Sequence, residues 1–187
     1  MFDVNGEEVT RDDLENKGAW CLRGISEEIA FVSKYGQQLG VLINPGKRWN
    51  KYAPDLITAS QALGDVKTQN TPFFQARERF GIDPQFAVVF NLKDEKNYRE
   101  SHPEVVIYYW VDWVAVRFVS YYQPGEVAYE IRVPPMTGVW RIDFRELRKM
   151  CASAPVHKYL RRVNDKVGNA KDSYVLDLRN PAFEKVA

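Results

Sequence analysis

The chain has 187 residues, 45% of them hydrophobic and 27% charged, with a formal net charge of +1. That is enough for one domain with a sizeable core, and it excludes both a disordered tail and a polycation that holds nucleic acid by bulk charge. Two cysteines (Cys21, Cys151) and two histidines (His102, His157) lack metal-ligand spacing, which excludes a zinc site and leads us to expect a reducing, cytoplasmic setting.

The first eight residues, Met1-Phe2-Asp3-Val4-Asn5-Gly6-Glu7-Glu8, are acidic and hold no apolar signal core. Residues 1–30 carry eight acids against three bases. Ser26 is placed to cap a helix that begins Glu27-Glu28-Ile29 and runs to about residue 38, ending at Gly40. Glu28 shares a face of that helix with Ile25, Val32, Tyr35 and Leu39, and a carboxylate in an apolar stripe needs a partner or a metal. The alternative is an edge position whose carboxylate reaches water. A strand follows over 41–43 and is stopped by Asn44-Pro45-Gly46. Lys47-Arg48-Trp49-Asn50-Lys51-Tyr52 then interleaves three bases with two aromatics, a composition suited to phosphates and stacked bases or to a solvated loop anchored by Trp49.

Strands are predicted over 55–58 and 64–69. Alternation puts Asp65, Lys67 and Gln69 on one face of the second, and Asp55 lies beside Asp65 if the two strands pair. Two carboxylates and an ammonium at one sheet edge suit a hard divalent cation beside a positively charged group. Glu15-Asn16-Lys17 and Asp94-Glu95-Lys96 share the acid-x-Lys spacing, but Glu15 sits in a polar tract and Lys93-Asp94-Glu95-Lys96-Asn97 reads as an exposed turn. Thr71-Pro72 predicts the start of a helix carrying Phe73, Phe74, Ala76 and Phe80 to Gly81, and 86–90 reads as a buried strand.

Pro54-Asp55, a nine-residue gap, and Asp65-Val66-Lys67 together resemble the signature of the PD-(D/E)xK nuclease superfamily, over about 26–92. The expected order α-β-β-β-α-β agrees with that family's core. The resemblance implies an α/β, restriction-endonuclease-like αβββαβ core with a central mixed sheet. It also implies a DNA phosphodiester hydrolase that uses Mg2+, with Mn2+ able to substitute, and yields 5′-phosphate and 3′-hydroxyl ends. Asp55, Asp65 and the Val66 carbonyl would hold the metal, Glu28 would complete its site from the first helix, with Glu27 as the fallback, and Lys67 would position and polarise the attacking water. Lys47, Arg48, Trp49, Lys51, Gln69, Gln75 and Arg77 are the expected DNA contacts. A Holliday-junction-type resolvase and a non-catalytic DNA-binding or assembly module are the alternatives, and a homodimer is expected if both strands of a duplex are cut.

In the second half, 105–110, 114–119 and 127–133 read as strands, in an antiparallel extension of the sheet or a second small sheet, with a bend or bulge at Asp112-Trp113. The tract 105–119 is broken by Asp112 and Arg117 and is too short to span a bilayer, so no membrane partner is expected. Tyr121, Tyr122 and Trp140 could stack on bases, though packing is the plainer role. Helices are predicted from Asp143 through Met150 and from Pro155 to Val163, with a last strand over 173–178. Residues 141–187 hold eleven Lys/Arg against six Asp/Glu, a candidate phosphate-contacting surface or an ordinary solvated one. No linker divides the chain, so a single domain is expected, with the nuclease-like core over about 20–92 and the extension of strands and helices over about 100–187.

Overall fold

The computed structural model describes residues 1–9, 17–50, 52–158 and 172–187, the side chains of 17–25 excepted. Lys51 and the part of the second C-terminal helix expected over 159–163 lie outside them. Helix α1 (Lys17–Leu39) starts nine residues before the expected cap, so Ser26 is inside the helix. Gly18 and Gly24 obscure that earlier start, because glycine weakens any helical reading. Gly40 closes the helix with φ 65°, the left-handed geometry that glycine takes without a Cβ penalty.

Strand β1 (Val41–Ile43) follows, then a 3-10 turn (Pro45–Arg48), β2 (Leu56–Thr58) and β3 (Leu63–Gln69). β1, β2 and β3 form an antiparallel meander with Leu56 opposite Gly64 and Ile57 opposite Leu63. After β3 come α2 (Ala76–Phe80), β4 (Ala87–Asn91), α3 (Leu92–Ser101) and β5 (Val106–Asp112), and β5 pairs parallel to β3. β8 (Thr137–Asp143) joins β5 antiparallel, and β11 (Glu184–Lys185) closes that edge. The central sheet is therefore mixed, in the order β1-β2-β3-β5-β8-β11.

Several expectations are corrected. β4 does not enter the central sheet. It pairs with β10 (Ser173–Asp177), which also pairs with β9 (Val156–His157), in a separate antiparallel sheet. An apolar run reports burial, not which strand lies beside it. Val156 and His157 are thus strand where a helix was expected. Thr71-Pro72 does not begin a helix, since α2 spans only Ala76–Phe80 behind Gln75. The expected turn at 93–97 is α3, whose inner face consists of Glu95 and Tyr98 and so shows no apolar stripe. The strand expected at 114–119 is shifted to β6 (Arg117–Gln123), which pairs with β7 (Glu126–Arg132) in a two-stranded ribbon. β8, which the sequence reading missed, leads into α4 (Phe144–Cys151).

Alternation along β5 sorts the core onto two faces. Tyr108 faces α1, packing with Phe31, Tyr35, Val41, Leu56, Val66 and Val139. Ile107, Tyr109 and Val111 face the other side, with Phe90, Tyr98, Phe144 and Leu147. Gly36 lets α1 approach β1 closely: a Cβ there would meet the Val41 carbonyl oxygen at 2.9 Å. Among the described residues, no helix is long and apolar enough to cross a membrane.

Candidate active site

The register of β2 and β3, continued by one residue, sets Asp55 opposite Asp65. One Asp55 carboxylate oxygen, Oδ2, accepts a hydrogen bond from the Val66 N–H at 3.1 Å, so Asp55 is tied to β3 between the two other motif residues. Asp55 Oδ1 accepts a short hydrogen bond from Lys47 Nζ, and the same ammonium lies 2.6 Å from Glu28 Oε2. Helix α1, the 3-10 turn and the start of β2 thus meet at Lys47. Burial alone lowers the Lys47 pKa, but hydrogen bonds and charges from Asp55 and Glu28 outweigh it and raise the value overall.

The 3-10 turn that carries Lys47 is held by Asn44. This buried side chain accepts from the Gly46 N–H at 2.9 Å and donates to the Pro54 carbonyl at 2.8 Å, while its own N–H donates to the Asp55 carbonyl at 2.8 Å. In the sequence Asn44 reads only as a strand stop. Its polar groups brace the turn against Pro54 and Asp55, which sets where Lys47 starts.

Lys67 belongs to a second group. Its ammonium lies 2.8 Å from Asp65 Oδ2 and donates a hydrogen bond to Asp94 Oδ2 on α3 at 2.6 Å. It also lies 5.8 Å from the centre of the Phe90 ring and 5.6 Å from that of Tyr98. Burial lowers its pKa, and the charges of Asp65 and Asp94 more than reverse that, so Lys67 stays an ammonium well beyond neutral pH. Asp65 has only 6% of its side chain exposed, and burial raises its pKa against the opposing pull of Lys67. Tyr98 lies next to Asp65, and burial raises the tyrosine's own pKa far out of reach. Asp94 and Tyr98, one helical turn apart, are the participants that sequence reasoning missed. The acid-x-Lys at 94–96 lies on α3 and not in an exposed turn, and its acid is what reaches Lys67.

The structure therefore brings Glu28, Lys47, Asp55, Asp65 and Lys67 to the β2–β3 end of the sheet. Arg48, Trp49 and Tyr52 are exposed beside them, Trp49 at 91%. Gln69 donates to the Val89 carbonyl at 3.3 Å. Gln75 and Arg77 are engaged elsewhere: Gln75 donates to the Tyr129 hydroxyl at 2.7 Å and Arg77 pairs with Asp83 at 2.6 Å. Trp140 is core, whereas Tyr121 and Tyr122 are exposed on the β6–β7 ribbon. The bases of α4 are matched by acids: Arg145 pairs with Glu104, Arg148 with Glu95, and Lys149 with Glu146.

Among the described residues, no group of three or more His, Cys, Asp or Glu is arranged to hold a metal ion as the side chains stand. Lys47 separates Glu28 from Asp55, and Lys67 separates Asp65 from Asp94. The chemistry of the donors still fits a hard cation. All are carboxylates, the ligands that Mg2+ takes, and buried Asp65 Oδ2 receives no hydrogen bond, because the nearby ammonium lies off the hydrogen-bonding direction. Comparison of the chain with protein-family models, with curated proteins and with solved structures returned no match.

Proposed function

We propose that the protein is a metal-dependent deoxyribonuclease of the PD-(D/E)xK type that hydrolyses DNA phosphodiester bonds. The observation that carries this reading is the meeting of Asp55, Asp65 and Lys67 at one end of an antiparallel meander, with Glu28 arriving from the preceding helix. The order α1-β1-β2-β3, then a crossover containing α3, then β5 parallel to β3, supports it. In this reading β5 takes the place of the core's last strand, which the sequence puts at 86–90.

In this reading Asp55 and Asp65 would hold Mg2+, with Glu28 and the Val66 carbonyl as further oxygens. When bound, Mg2+ would supply Lewis acidity and make a bound water easier to ionise than bulk water, and Mn2+ would serve in its place. Lys67 acts as a fixed positive charge, because its two carboxylate partners keep it protonated. It orients the attacking water and offsets charge developing on the phosphate. Water oxygen bonds to phosphorus, the bond to the 3′ oxygen breaks, and the water's proton ends on that leaving oxygen through solvent. The products are a 5′-phosphate and a 3′-hydroxyl. Asp94 and Tyr98 hold Lys67 and Asp65 in register. Arg48 and Trp49, both exposed, would contact the DNA strand, and a homodimer would supply a second site for duplex cleavage.

A second reading, a nuclease-like DNA-binding module without turnover, is favoured by one feature: lysines already neutralise the acids. A cleavage assay on supercoiled plasmid, linear duplex and four-way junction with Mg2+ separates the two. Cleavage lost in Asp65→Asn and Lys67→Ala supports the nuclease. Binding of DNA and metal without any cleavage supports the module.

A further inference from the structure

Lys47 stands where a cation would otherwise have to stand. Its ammonium is 2.6 Å from Glu28 Oε2 and hydrogen-bonded to Asp55 Oδ1, so one positive charge bridges two carboxylates. Its backbone is fixed, because Asn44 clamps the turn to Pro54 and Asp55. Only the side chain, on a flexible four-carbon stem, is free to swing. The two residues that follow, Arg48 and Trp49, are exposed, and the Lys47 side chain itself keeps 21% of its surface exposed.

We propose that Lys47 is an internal counter-ion that holds the divalent cation's place between Glu28 and Asp55 and moves onto a phosphate of the DNA when the cation binds. The inference rests on the nuclease reading above. Its basis is charge balance. A divalent ion between the two acids expels the ammonium by like-charge repulsion and leaves it without a partner. A DNA phosphate supplies that partner, so cation and DNA each strengthen the binding of the other by the same factor. Lys47 is thus a positioning residue that couples the two ligands, and its sequence separation from the acid-x-Lys motif explains why it looked like an ordinary loop lysine.

Calorimetric titration with Ca2+, with and without a short DNA duplex, tests this on the full chain. Ca2+ is expected to bind without supporting turnover. Without DNA, Lys47→Met should bind Ca2+ about tenfold or more tightly than the wild type, because the competing charge is gone. Lys47→Arg should bind it more weakly, because a guanidinium fork grips both carboxylates. Lys96→Met, an exposed base on α3 with no role in the site, should change Ca2+ affinity by less than about twofold, which separates displacement from a general loss of positive charge. Duplex DNA should tighten Ca2+ binding to the wild type and not to Lys47→Met. Equal or weaker Ca2+ binding by a folded Lys47→Met would overturn the proposal while leaving the nuclease reading in place. Should Lys47→Met not fold, unchanged or tighter binding by Lys47→Arg overturns it instead. Failure of the wild type and every variant to bind Ca2+ removes the nuclease reading and this inference together.

Discussion

Replacing Asn44 by alanine tests how the site is built without touching any acid. The substitution removes the donor to the Pro54 carbonyl (2.8 Å) and the acceptor for the Gly46 N–H (2.9 Å). Pro54 is buried, so its carbonyl loses a partner that water cannot easily replace, while half-buried Gly46 recovers part of its loss from solvent. A buried backbone group left without a partner costs about 1–3 kcal/mol, so Asn44→Ala should lose about 2–4 kcal/mol in all. With a urea dependence of about 2 kcal/mol per molar, the midpoint should fall by about 1–2 M. Equilibrium urea unfolding followed by tryptophan fluorescence gives that number. Asn44→Asp keeps the acceptor for Gly46 and loses the donor, so it should fall between alanine and the wild type. An Asn44→Ala midpoint within about 0.2 M of the wild type would refute the clamp, and with it the reason Lys47 is held beside Asp55.

Other outcomes follow from the same geometry. Gly36→Ala should destabilise the fold by up to about 2 kcal/mol in the same urea assay, an overpacking cost of about 1–3 kcal/mol less the propensity gain. The gain in helix propensity is about 1 kcal/mol, and a backbone carbonyl 2.9 Å from the new Cβ cannot move aside as a side chain would. Lys67 releases its proton at higher pH in the fold than the 10.5 of a free lysine. Its contribution is therefore complete below that pH and is lost as pH rises through the folded value, at about 1.4 kcal/mol per pH unit. Denaturation series from about pH 9 to 11.5 should show a shallower alkaline decline in Lys67→Met. Burial, with Glu95 adding, pushes the Cys151 thiol up to about 12. Iodoacetamide at about pH 8 should leave Cys151 unlabelled in the native protein and label it fully in urea, read by mass spectrometry of its peptide.

The parts legible in the sequence are those written in local chemistry. β1 stands out by Val41 and Ile43 and β3 by its alternation, and Gly40 and Gly81 mark helix ends through their left-handed backbones. Asp55, Asp65 and Lys67 could be placed together because strand alternation and a short connection are enough to align them. What stayed hidden depends on tertiary partners. Nothing in 86–90 says that it pairs with 173–177 and not with β3, and nothing in 106–112 announces a parallel neighbour. α3 was read as a turn because its buried face is a glutamate and a tyrosine. β8 was missed because Pro134-Pro135 suggests an ending and Asp143 a helix start, leaving the strand between them unnoticed. Asp94 and Tyr98 reach Lys67 only through the packing of α3, and Lys47 meets Asp55 and Glu28 from a turn that Asn44 braces against Pro54 and Asp55.

The most direct test of the account is cleavage of supercoiled plasmid in Mg2+ by the wild type beside Asp65→Asn and Lys67→Ala, each checked for native circular dichroism. The account predicts nicked or linear product from the wild type and none from either variant. Undiminished product from a folded variant, or an intact plasmid, linear duplex and four-way junction after exposure to the wild type, would contradict it.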